Sequence, residues 1–138
     1  MLDAAQAPPA TSHCRRTLDG MARARIDDSL GGDAVAAVLA GSADRPALAT
    51  AVRFLLQVLA DTSPGHSVEV RVPPFGAVQA VEGPRHTRGT PPNVVELDAE
   101  TFVAIATGSL AWDDAASAGR VQASGARSDL SALFPLEY

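Results

Sequence analysis

The chain of 138 residues has no lysine, one tryptophan and one cysteine, and the shortage of cysteine removes a class of chemistry. With Cys14 alone there is no intramolecular disulfide, and neither a zinc ribbon nor a CxxC redox pair can be assembled, which suits a reducing compartment. His13, His66 and His86 stand in three separate segments, without a second His or Cys at helical or hairpin ligand spacing, so no metal and no cofactor is expected. A nucleophile elbow, a phosphate-binding loop and a dinucleotide fingerprint are all missing. Asp113 and Asp114 are adjacent, and on a helix they diverge, so they read as a charged first turn and not as an acid/base pair. No catalytic residue can be nominated, and the expectation is a noncatalytic protein.

Sixteen acidic residues against eleven arginines leave a net charge of -5, which gives no overall attraction to nucleic acid or to an anionic membrane. No segment approaches the ~20 apolar residues of a membrane span. The first residues, interrupted by Asp3, Gln6, His13 and two arginines, lack the basic region and apolar stretch of a signal peptide. A cytoplasmic protein without integral membrane association is expected.

What is present is organised unevenly. Residues 1–12, rich in Ala and Pro, cannot bury enough apolar surface to offset their ordering entropy and are expected to form a mobile arm. Residues 13–43 carry two weak helical patterns, around Leu18, Met21, Ala22 and Ile26 and around Val35, Val38 and Leu39, separated by Gly31-Gly32. A stronger helix starts at Asp44, a good cap with Pro46 in the first turn, and repeats Leu48, Val52, Leu55, Leu56 and Leu59. Val68, Val70 and Val72 alternate with Glu69 and Arg71 in a half-buried strand that Pro73-Pro74 must interrupt. A second strand is expected over 75–81, a long turn over 83–92, a third strand at Val94–Leu97, a helix capped by Asp98 and a last strand over 120–124. Strands clustered between helices predict an α+β domain over residues 44–138, with a four- or five-stranded, largely antiparallel sheet covered on one face by helices.

The last third has a distinctive order: the Asp98 cap, Phe102-x-x-Ile105-Ala106-x-Gly108, Trp112-Asp113-Asp114-Ala115, Gly119-Arg120-Val121-x-Ala123-Ser124-Gly125 and Leu130-x-x-Leu133-Phe134. This order resembles the C-terminal half of the sterol carrier protein fold, closely over about forty residues. Val68 to Gln79 and His86 to Glu96 extend the likeness to the bacterial branch of the sterol carrier family, from about residue 45 to the end. The resemblance implies a lipid carrier-like domain in which a gap between sheet and helices becomes a ligand tunnel for a fatty acid, an acyl chain or another lipid. Related domains also occur as accessory halves of thiol-dependent isomerase-like enzymes, but the metal-binding helical domain of those enzymes has no counterpart in the first 43 residues.

Under that implication Phe75, Phe102, Ile105, Trp112, Leu130 and Leu133 are candidate tunnel lining, although periodicity alone supports only their burial. The polar candidate is the loop Arg85-His86-Thr87-Arg88-Gly89-Thr90-Pro91-Pro92-Asn93. Arg85 and Arg88 present planar donor forks to a carboxylate or phosphate head group. Alternatively Thr87, Thr90 and Asn93 satisfy turn backbone groups while Arg88 pairs with Glu96 or Asp98. Two functions therefore stand: noncatalytic binding or carriage of an apolar ligand, and an interaction or regulatory module with a filled core and no cargo, its protein partner unspecified.

Overall fold

The computed structural model describes residues 24–83 and 93–138. The expected arm over 1–12, the pattern at Leu18, Met21 and Ala22, and the loop candidates Arg85 and Arg88 lie outside the described residues.

Among the described residues, four α-helices and four strands follow in the order α1 (Asp28–Leu39), α2 (Arg45–Thr62), β1 (Val68–Val72), β2 (Gly76–Ala80), β3 (Val94–Leu97), α3 (Ala99–Thr107), α4 (Trp112–Ser117) and β4 (Val121–Ser124). A 3-10 turn at Ser131–Leu133 precedes the end of the chain. The strands form one sheet in the order β2-β1-β3-β4. Its outer pairings are antiparallel, but the central pair β1 and β3 is parallel, with Val70 opposite Val95. The α+β class and the strand number are as expected, and the parallel centre makes the sheet mixed.

Helix boundaries follow the cap chemistry. Asp44 accepts from the Ala47 N–H at 3.0 Å, with Pro46 in the first turn of α2, and Asp98 accepts from the Thr101 N–H at the start of α3. At the other end of α3, Gly108 takes φ 89°, the left-handed conformation that ends helices at glycine. The sequence reading of Gly31-Gly32 as a break does not hold: α1 runs unbroken through both. Gly31 is instead a packing residue, because a Cβ there would overlap the ring of Phe54 on α2. The close approach lets α1 lie on α2, and Val35 is buried in the same core. Ile26, assigned in sequence to a helical pattern, sits in the non-helical stretch before α1.

The pleat divides the sheet sharply. Val68, Val70, Val72, Val95 and Leu97 point into one core with Val52, Leu55, Leu56 and Leu59 of α2 and Phe102, Val103 and Ile105 of α3. The opposite face carries Glu69, Arg71, Gln79, Glu96 and Gln122, which share register positions across the strands. On that face Arg71 bridges to Glu69 at 2.8 Å. Among the described residues, helices therefore cover one face only. Asn93, buried where β3 begins, donates to the Ser67 carbonyl at 2.8 Å and accepts from the Arg127 N–H at 2.9 Å, so these bonds tie the start of β3 to the segments before β1 and after β4, and not to the turn of the sequence reading.

Candidate functional site

Between α2 and the edge strand β2 runs a groove of about 680 Å³. Its floor is Leu56, Phe75 and Val78, its strand wall Gly76 and Ala77, and its outer wall Ala24, Ile26 and Leu30. The strand wall is low because Gly76 has no side chain and Ala77 almost none. The helix packs close behind it, so that a Cβ on Gly76 would stand 3.3 Å from a Leu56 methyl. Strand β1 ends in a tight turn, closed by the Phe75 N–H donating to the Val72 carbonyl at 2.9 Å, and the turn delivers Phe75 into the seam with only 6% of its surface exposed.

The outer wall is held by one side chain. Gln57 of α2 accepts from the Ile26 N–H and donates to the Ile26 carbonyl, each at 2.9 Å, so both backbone groups of a non-helical residue are satisfied at once. Arg25 adds an exposed ion pair to Asp61 at 2.6 Å. The Asp61 carboxylate raises the Arg25 pKa through that hydrogen bond and its charge. Leu30 then stands over the groove, 58% exposed.

Phe75 also forms the floor of a shallower hollow of about 340 Å³, with Arg45, Pro46, Ala49, Arg53 and Pro74 around it. The Arg45 guanidinium lies 4.9 Å from the Phe75 ring centroid, and the Arg53 Nε donates to the Phe75 carbonyl at 3.1 Å. Sequence reading missed both arginines. Their signal was legible as Arg45, Ala49 and Arg53 at four-residue steps along one side of α2, but that pattern is what any solvated helix face looks like.

The other sequence candidates gather elsewhere. Phe102 and Ile105 of α3 and Trp112 of α4 meet Phe134 near the C-terminus. Trp112 stacks on Phe134 with centroids 5.9 Å apart and planes 8° from parallel, and Phe102 meets the same ring edge-on at 6.5 Å. The expected burial of Trp112 is observed, at 8% exposure; Phe134 is the ring it stacks on, and Leu110 borders a small hollow with it. The segment is fastened by the Leu136 N–H donating to the Ala106 carbonyl at 2.8 Å, and Leu130 is buried while Leu133 is half-buried beside it. Thus Phe75 lines the groove, whereas Phe102, Ile105, Trp112, Leu130 and Leu133 gather at the α3–α4 end, where Ile105, Trp112 and Phe134 border this smaller hollow of about 330 Å³.

Neither region has the donor set of a metal centre: among the described residues no three His, Cys, Asp or Glu side chains converge. No described helix is long and apolar enough to cross a membrane. Compared with known proteins, residues 44–136 match a family model described as "Bacterial SCP ortholog". No curated protein matches the chain.

Proposed function

The chain belongs to the family of bacterial orthologs of sterol carrier protein, and from that premise we propose that it binds and carries an apolar ligand, a fatty acid, acyl chain or other lipid, in the groove between α2 and β2. The observation that carries this reading is the groove itself, open along the seam between the helical layer and the sheet. Its volume falls within the roughly 300–1,000 Å³ of small-molecule sites, and its lining is mainly apolar with few polar groups. Apolar burial at about 25 cal/mol per Å² supplies the affinity, and no reacting group is required.

A second reading, the module with a filled core and no cargo, draws on the dense packing inward of the groove, where Phe54, Leu55, Leu59, Val68, Val70, Val72 and Phe102 are at most 1% exposed. The two readings part at the groove. Val78 faces it from the edge strand and is half-buried, so Val78→Phe fills the space without burying a polar group. The carrier reading expects wild type to take up a fluorescent fatty acid and Val78→Phe to lose at least ten-fold in affinity with its fold retained. Uptake unaffected by the filled groove removes this location, and no uptake of any lipid by wild type leaves the cargo-free module.

A further inference from the structure

We infer that the ligand is an amphiphile with an anionic head group, held by Arg45 and Arg53 above the ring of Phe75 while its apolar tail lies in the groove; this rests on the groove being the ligand site. Phe75 is the shared element. One side of it floors the groove and the other floors the hollow beneath the two arginines, and Arg53 borders both spaces. A chain leaving the groove past Phe75 therefore reaches guanidinium groups without crossing another layer of side chains.

The charge around this point is one-sided. Among the described residues no carboxylate borders either space. The ion pairs among the described residues are Arg25 with Asp61 and Arg71 with Glu69, which leaves Arg45 and Arg53 without an acidic partner there. Asp44, adjacent to Arg45 in sequence, turns to cap the Ala47 N–H and borders neither space. In a chain of net charge -5, two arginines around one hollow that no acid among the described residues borders form a local positive site.

The geometry fits an oxyanion head group. The bond from Arg53 Nε to the Phe75 carbonyl tethers the guanidinium beside the hollow and engages one of its five N–H donors. Arg45 is placed over the ring by its cation–π contact, a loose tether that still leaves its N–H groups able to donate. Two forks at one end of an apolar groove match a carboxylate or a phosphate monoester on a single chain. Gln57 does not compete for that role, since both ends of its amide are engaged by Ile26.

The test compares palmitate, hexadecyl phosphate and hexadecanol, which share one tail length, on wild type, Arg45→Gln and Arg53→Gln, with thermal unfolding of each variant. The expected result is a loss of about ten-fold or more for at least one of the two anions in each variant, with hexadecanol changed less than two-fold. Which anion suffers identifies the head group. Arg45 is exposed, so Arg45→Gln carries the test alone if loss of the bond to Phe75 unfolds the other variant. Equal losses for anions and alcohol, or no loss for either, overturn the head-group assignment while leaving the groove in place. Failure of wild type to bind any of the three overturns the groove reading, and the head-group assignment with it.

Discussion

Two regions of this domain receive the same kind of side chain and make opposite use of it. At the α3–α4 end, Phe102 and Trp112 close on Phe134, which the C-terminal segment brings back across α3. At the α2–β2 edge, Phe75 meets Gly76, Ala77 and a wall suspended from Gln57, and the seam stays open. Aromatic residues do not by themselves make a ligand site. What decides is whether another large side chain arrives to fill the space, or whether small residues leave it.

The largest effect is expected at the α3–α4 end. Trp112→Ala removes a stacked, nearly buried ring and is predicted to cost about 3–5 kcal/mol. A denaturation midpoint close to wild type would mean that this end is not packed as described, and the contrast would fail. Next come the glycines of α1. Gly31→Ala forces a methyl against Phe54 and is expected to destabilise by about 1–3 kcal/mol, whereas Gly32, which has open space around it, should gain about 0.5–1 kcal/mol as Ala. Similar unfolding curves for the two variants would show that α1 does not pack on Phe54.

A smaller effect separates the regions by ligand and not by stability. Leu30→Gln, at the exposed rim of the groove, should leave folding within about 0.5 kcal/mol of wild type. It should weaken a bound fatty acid by about 1 kcal/mol through lost apolar contact. Unchanged affinity would take Leu30 out of the groove wall. The smallest effect lies near the α3–α4 end, in the segment that leads to Phe134. The Asp129 carboxylate accepts from the Ser131 N–H at 3.0 Å, and this bond, with a second from the Ser131 side chain, holds its pKa below the ordinary value. A depressed carboxylate pKa stabilises the fold above the unfolded value of about 3.9 and loses that contribution as pH falls through the folded one. Asp129→Asn should therefore lower Tm slightly at neutral pH and differ less from wild type in acid, and a gap that widens on acidification would contradict the sign.

Much of the frame was legible because it rests on local chemistry. Asp44 and Asp98 announced their helices through cap geometry, Val68 to Val72 announced a strand through alternation, and Gly108 marked a helix end. Gly31 misled because a glycine needed for close helix approach has the same letter as one that breaks a helix. The candidate site was less legible. Phe75 was identified, but Arg45 and Arg53 were hidden in an ordinary polar helix face, since their meeting at Phe75 depends on where the β1–β2 turn folds back onto α2. Phe134 was assigned to the apolar C-terminal stripe, yet its position between Phe102 and Trp112 is a tertiary fact that no spacing encodes.

The central claim is that the α2–β2 groove, and not the smaller hollow at the α3–α4 end, holds an apolar cargo. Native mass spectrometry of freshly purified wild type beside Val78→Phe tests it most directly, with lipid extraction to identify what is released. The account predicts an adduct of lipid mass on wild type that is depleted in the groove-filled variant. An adduct retained in full by Val78→Phe, or bare protein in both samples together with no uptake of added fatty acid, would contradict it.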